Sequence, residues 1–392
     1  MIACLYLLSV LCLYLSFRKK LCLSCCYLFC FYFCGVYFLK QSSVSWHNYY
    51  LVSFLLCFSL GAGVCRNLSI LPCINFGQLK DFLKKVLYVI FSLLFLFVAC
   101  RIVYGWIFIE KSFVNIRHNL GLNISYWENI IFFRVSLFIL PLVVFSIRNR
   151  FFKIFFWFLF LVVLLIPLHK TIVFFYCMII LLTWVLLKNK NIILSLKQSF
   201  SLAVSGCFII WLVMCLFNKR VLPLLQTVSL RPFLSVSKIC YRGLEYSEKN
   251  NIHTYGIASF KKLFSPFFRN HMDFSKELFT FCHGIPKEKN APGVSMNTPS
   301  PIPLYLDFGW FALIFAFLLG VYLKTIDTLM INFCRNNKIT LPVAISYSCC
   351  LVGSSMFMIT AMGTALLSGG MFLYSVLLFL FINLERNAQK TL

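Results

Sequence analysis

The sequence predicts an all-α polytopic integral membrane protein, about eleven transmembrane helices with one large outward loop. Composition is the first observation: of 392 residues, 61% are apolar, 18% aromatic and only 12% charged. That is more apolar surface than a single soluble core hides. Recurrence is the second, because apolar stretches of roughly 18 to 22 residues repeat along the chain, each long enough as a helix to cross a hydrocarbon core of about 30 Å. The third is the placement of Lys and Arg in alternate connecting segments.

The expected spans are 1–17, 21–39, 48–65, 86–109, 130–147, 151–168, 171–187, 199–217, 303–323, 341–362 and 366–384. The first has no basic residue ahead of its apolar stretch and is followed by Arg18, Lys19 and Lys20. This order is the reverse of a cleaved signal peptide, so the segment is expected to remain as an anchor.

Orientation follows from charge, since basic residues in short loops resist translocation. One set of loops holds eighteen Lys and Arg, from Arg18, Lys19 and Lys20 through Arg148, Arg150 and Lys153 to Arg386 and Lys390. The opposite short loops carry only Lys40, Lys111, Arg117 and Lys170. The first set is therefore expected to be cytoplasmic. The N-terminus and the 218–302 loop then face outward, into the periplasm of a Gram-negative cell, and the protein is placed in the bacterial inner membrane. The twelve basic residues of the long loop do not oppose this, because loops beyond about 60 residues cross regardless of charge.

The formal charge of +25 is thus largely a topology signal, and no nucleic-acid partner is expected. Outward cations have no such explanation and suit anionic lipid head groups or a phosphorylated lipid substrate. Most of the nineteen cysteines fall inside apolar spans, where Cys packs as a small hydrophobe. Cys240 and Cys282 lie in the outward loop, where one disulfide is an open possibility.

The chain reads as one membrane domain over residues 1–392, the 218–302 loop being inserted before the ninth span. Within that loop, helical patterns are expected near Val228–Asn250 and Ile257–Phe268. A Pro- and Gly-rich tail from Gly284 to Pro303 is expected as a shaped surface loop, since Pro286, Pro292, Pro299, Pro301 and Pro303 disfavour helix interior. A polar segment of this length in a membrane protein is the natural place for function.

Candidate site residues are the cations on the outward side. Arg101 lies near the outer end of the fourth span and Arg134 about one turn into the fifth; each either meets a substrate anion or snorkels to the head groups. Between them lie Arg117, His118, Glu110 and Glu128, with the acids expected chiefly as ion-pair partners. Lys170 sits at a tight outward turn. In the long loop, Arg231, Arg242 and Arg269 offer the planar donor fork that suits phosphate oxygens. Glu245 and Glu248 share a helix face, and Asp307 opens the ninth span; any of the three is a candidate general base. His253, His271 and His283 lack metal-ligand spacing, and neither HExxH, a Walker loop nor GxGxxG is present, so no metal or cofactor is expected.

Asn297 followed by Leu304-Tyr305-Leu306-Asp307-Phe308-Gly309-Trp310, within a plan of eleven or so spans and one large late outward loop, resembles the O-antigen and oligosaccharide repeat-unit polymerases of the Wzy type. The resemblance covers most of the chain as a plan and about fourteen residues as a motif. Related O-antigen ligases typically have His-Asn where this chain has Met296-Asn297, which favours a polymerase. Some polymerases carry Arg-x10-Gly in an outward loop; here eleven residues separate Arg231 from Gly243.

The resemblance implies a GT-C-like membrane glycosyltransferase that takes undecaprenyl-pyrophosphate-linked glycan in place of a nucleotide sugar. It also implies a copolymerase partner that regulates chain length. Departing pyrophosphate needs cations, which Arg101, Arg134, Arg231 and Arg242 are expected to supply, with Lys170, Arg117, Arg269, Asn297 and Asp307 binding substrate. The competing readings are an O-antigen ligase and a lipid-linked oligosaccharide flippase. A flippase calls for polar residues lining many spans, whereas most of these spans lack charge.

Overall fold

The computed structural model describes residues 22–24, 26–27, 31, 45–64, 80–108, 126–165, 170–194, 196–218, 223, 235–250, 254–264, 274–283, 299–358, 360–367 and 369–386. Every element among them is a helix. The first six are α1 (Ser45–Val64), α2 (Lys80–Phe108), α3 (Tyr126–Ser146), α4 (Arg150–Leu165), α5 (Lys170–Asn189) and α6 (Leu196–Asn218). The inserted segment contributes α7 (Ser235–Asn250), α8 (Ile257–Phe264) and α9 (Phe274–His283). The remainder is α10 (Pro301–Phe308), α11 (Ala312–Asn336), α12 (Leu341–Ser355), α13 (Met362–Leu366) and α14 (Met371–Arg386), with single 3-10 turns at Gly309–Phe311 and Met356–Met358.

Four stretches among the described residues are long and apolar enough to cross a membrane: Trp46–Val64, Thr171–Asn189, Pro301–Arg335 and Leu341–Met358. Phe133–Ser146, Val204–Cys215 and Met371–Glu385 are shorter apolar helices. The expected first span and most of the second lie outside the described residues.

The bundle is organised around α12, which is buried from Pro342 to Ser354 and packs on α3, α5 and α14. Its sequence explains this position. Ala344, Ser346, Ser348, Cys349, Cys350 and Gly353 are small, and small residues let helix backbones approach where no water drives them together. The Thr183 hydroxyl of α5 donates to Ser348 Oγ at 3.1 Å, supplying a polar contact inside the packing.

The second packing unit is α1 against α11. Gly61 faces the Phe317 carbonyl and Gly320 faces the Phe58 carbonyl so closely that a Cβ at either glycine would overlap that oxygen. Beneath this contact, Asp327 of α11 is fully buried and accepts hydrogen bonds from Leu23 N at 2.6 Å, Ser24 N at 3.1 Å, Ser24 Oγ at 2.5 Å and the Tyr347 hydroxyl at 3.1 Å. One carboxylate thereby joins the helical start at Leu23 and Ser24 to α11 and α12. Lys84 of α2 and Glu385 of α14 form a further ion pair between helices.

Three boundaries differ from the sequence expectation. Residues 284–298 of the expected Pro-rich tail lie outside the described residues, and its last two prolines, Pro301 and Pro303, lie in the first turn of α10, where a helix N–H has no intrahelical partner to lose. The ninth span is broken: Gly309 adopts φ of 55° and a 3-10 turn separates α10 from α11. The last two spans are joined by folded structure, the turn at Met356–Met358, then α13, then Gly370 with φ of 76° before α14. In the inserted segment the described parts of the two expected helical stretches are α7 and α8, and residues 228–234 and 265–268 of those stretches lie outside the described residues. The turns of α9 were not anticipated.

Candidate functional site

The helices of the inserted segment gather at one end of the bundle through α10. That short helix contacts α7, α8 and α11, while α8 packs on α13 and α7 on α9. Its first turn is pinned from two sides. Ser300 donates its N–H to the Phe357 carbonyl at 3.0 Å and its hydroxyl to the Thr360 carbonyl at 2.8 Å. From α1, the Tyr50 hydroxyl donates to the Pro301 carbonyl at 2.7 Å.

Asp307 is the fastening between α10 and the inserted segment. It is buried, and its Oδ1 accepts from the Thr254 hydroxyl at 2.5 Å and from Ala258 N at 3.0 Å, while Oδ2 accepts from Ser259 N at 2.7 Å. Ala258 and Ser259 open α8, so the carboxylate meets N–H groups that lack helical acceptors and the positive end of the helix dipole. The Thr254 N–H donates in turn to the Leu306 carbonyl at 3.1 Å. Close backbone approach completes the joint, since a Cβ on Gly363 of α13 would lie 2.9 Å from the Ser259 carbonyl oxygen.

Arg134 of α3 lies beside the Gly370 turn at this end. A Cβ at Gly370 would come within 2.8 Å of its Cδ, and Tyr374 donates its hydroxyl to the Arg134 carbonyl at 3.3 Å. Arg242 is elsewhere, on the exposed face of α7. It pairs with Glu245 at 2.6 Å and rests over the Tyr241 ring at 6.0 Å, and Glu245 also accepts from Lys249 at 2.9 Å. The Lys249 hydrogen bond and then that of Arg242 hold the Glu245 carboxyl below its ordinary range.

Of the other sequence candidates, Arg101 is a residue of α2 and Lys170 is the first residue of α5. Arg117, Arg231, Arg269 and Asn297 lie outside the described residues. Cys240 and Cys282 are both free thiols; burial pushes the Cys240 thiol up to about 12. Among the described residues no group of three His, Cys, Asp or Glu could hold a metal ion.

Sequence reasoning passed over the head of α1. Trp46 and His47 face α7 and α10 there, inside a cluster of rings. Trp46 is 5.2 Å from Tyr305, Tyr50 is 4.7 Å from Tyr305 and 5.8 Å from the half-exposed Trp310, and His47 is 6.0 Å from Tyr241. Glu248 of α7 closes the group, with Oε1 at 3.4 Å from Trp46 Nε1 and Oε2 at 3.7 Å from His47 Nε2. The available signal was a Trp-His pair directly preceding a span, a polar step where the aromatic belt of a membrane helix sits.

Comparison with protein-family models, with curated proteins and with solved structures finds no match to this chain.

Proposed function

We propose that this chain is an O-antigen polymerase, a glycosyltransferase of the bacterial inner membrane that joins undecaprenyl-pyrophosphate-linked repeat units on the periplasmic face. The observation that carries the reading is the joint at Asp307. The residues on which the resemblance rests, Leu304 to Trp310, form the short helix and turn that fasten the inserted segment to the bundle, so the motif coincides with a built element.

In this reading the acceptor hydroxyl oxygen attacks the anomeric carbon of the growing chain. The bond from that carbon to the undecaprenyl pyrophosphate breaks, and its electron pair leaves on a phosphate oxygen. Stabilising that departing charge is the largest task. Arg134, half-buried beside the Gly370 turn, is the described cation best held for it, because partial burial strengthens its field. Arg242 is more exposed and already paired with Glu245, so its role is the earlier capture of anionic head groups, with Arg101, Arg231 and Lys170 adding to the field. A chain-length-regulating copolymerase is the expected protein partner.

Deletion of the gene followed by gel analysis of surface glycan tests this. A polymerase leaves single-repeat decoration without a ladder. Lipid-linked polymer accumulating with bare surface would indicate a ligase. Lipid-linked units trapped on the cytoplasmic face would indicate a flippase.

A further inference from the structure

Asp307, Glu245, Glu248 and Glu277 are carboxylates at this end of the bundle, candidates for the base that the acceptor hydroxyl requires, and their surroundings separate them. Glu277 accepts from the Tyr246 hydroxyl at 2.8 Å. Asp307 is buried and spends both oxygens on Thr254, Ala258 and Ser259. Glu245 is engaged by both Arg242 and Lys249. Glu248 differs, for its side chain is 50% exposed and its contacts among the described residues are the Trp46 indole and His47.

His47 is the second observation. Its side chain is fully buried, and among the described residues neither ring nitrogen has a hydrogen-bond partner. A buried polar group left unpaired costs about 1–3 kcal/mol, so such a residue calls for an explanation. Its Nε2 lies 3.7 Å from Glu248 Oε2, under 1 Å beyond the usual hydrogen-bond length of about 2.9 Å. With the His47 hydrogen on Nδ1, neither Nε2 nor the ionised carboxylate has a proton to donate across that gap. Once protonated, the carboxyl has.

We propose that Glu248 is the base that takes the acceptor hydroxyl proton, with His47 positioned behind it to accept a hydrogen bond from the carboxyl so formed. The inference rests on the polymerase reading. The hydroxyl oxygen bonds to the anomeric carbon, the carbon–oxygen bond to pyrophosphate breaks, and the proton moves to a Glu248 oxygen. Glu248 Oε2 then donates to unprotonated His47 Nε2, which holds the proton away from the new glycosidic oxygen. The exposed face of Glu248 meets substrate; Trp46 and Tyr305 supply an apolar wall against which a sugar ring rests.

The test uses the full chain purified in detergent and, as probe, the lipid-linked oligosaccharide extracted from cells lacking the gene. Glu248→Gln is expected to lower kcat about a hundredfold or more, the range of a lost general base, with KM within about twofold. His47→Phe is expected to lower kcat, and His47→Gln, whose amide oxygen can accept a hydrogen bond, to restore part of it. A purely structural His47 gives the opposite order, because Phe suits the apolar setting better than Gln. Membrane abundance and Tm are measured for each variant; should Glu248→Gln fail to accumulate, Glu248→Asp replaces it, with an expected kcat loss of about tenfold or more. A wild-type kcat in the Glu248 variant, or a change in KM alone, overturns the proposal while the polymerase reading stands. Failure of the unaltered protein to elongate the probe overturns the polymerase reading and this inference together.

Discussion

Asp307 holds the N-terminus of α8 through the Ser259 N–H, 2.7 Å from its Oδ2. The two residues are 48 apart in sequence, so one carboxylate closes a long insertion onto the bundle. Asp307→Ala strips acceptors from two backbone N–H groups and a hydroxyl, a loss of about 1–3 kcal/mol in local stability. The expected outcome is faster hydrogen exchange at Ala258 and Ser259, by roughly tenfold to a hundredfold, with exchange in α12 unchanged. Equal acceleration across the bundle would contradict a local fastening.

The contact of α1 with α11 is expected to be intolerant of a single methyl group. Gly320→Ala drives a Cβ into the Phe58 carbonyl, and such overpacking costs about 1–3 kcal/mol. Gly63, on the same helix as Gly61, has nothing within 4 Å of a Cβ. Gly63→Ala is therefore the internal control, neutral or stabilising by up to about 1 kcal/mol from helix propensity. Thermal unfolding in detergent separates the two, and equal Tm values would count against close backbone packing.

Much of the bundle was legible because crossing a bilayer imposes length and apolarity on each helix, as in Trp46–Val64 and Leu341–Met358. Breaks were not legible where a residue acts through its backbone. Gly309 and Gly370 take positive φ in sequence that is otherwise apolar, and hydropathy passes straight over them. Pro301 and Pro303 misled for a related reason, since the same ring that breaks a helix interior suits its first turn. At the candidate site, residue type singled out Arg134, Arg242 and Asp307 as candidates, yet partners decide role. Asp307 turned out to be committed to α8, and His47 emerged only when folding brought α1 beside α7.

Asp327 is expected to matter more for stability than its single charge implies. It gathers four donors from Leu23, Ser24 and Tyr347 in a fully buried setting. Asp327→Ala leaves those donors unpaired, at a cost of at least about 3 kcal/mol, whereas Asp327→Asn keeps one oxygen as acceptor and loses less. Folded yield and Tm are expected to rank wild type, Asn, then Ala.

Acid should loosen α7 through Glu245. Its folded-state pKa is lowered, chiefly by the Lys249 hydrogen bond, so the stabilisation is complete above the unfolded value of about 4.3. It is lost as pH falls through the depressed folded value. The partners are largely solvent-exposed, at 46% for Arg242 and 60% for Lys249, which limits each pair to about 0.3–0.5 kcal/mol. Protection factors of the α7 amides, which correct exchange for its intrinsic pH dependence, are expected to fall by about twofold below pH 4, and Glu245→Gln to remove that dependence. An unchanged pH response in the Gln variant would point to another group.

Arg134 and Arg242 are expected to fail differently. Arg134 is half-buried beside Gly370 and Tyr374, so water screens it less, and under the proposed polymerase function its charge acts more strongly on a substrate phosphate than an exposed one would. Arg134→Ala should abolish the glycan ladder, and Arg134→Lys should recover only part of it, because an ammonium lacks the bidentate fork. Arg242 is exposed and paired with Glu245, so Arg242→Ala should raise KM for lipid-linked substrate more than it lowers kcat, and added salt should produce a similar rise in the unaltered enzyme. Protein abundance in the membrane is the necessary companion measurement. A full ladder from Arg134→Ala at normal abundance would remove Arg134 from the set that stabilises departing pyrophosphate.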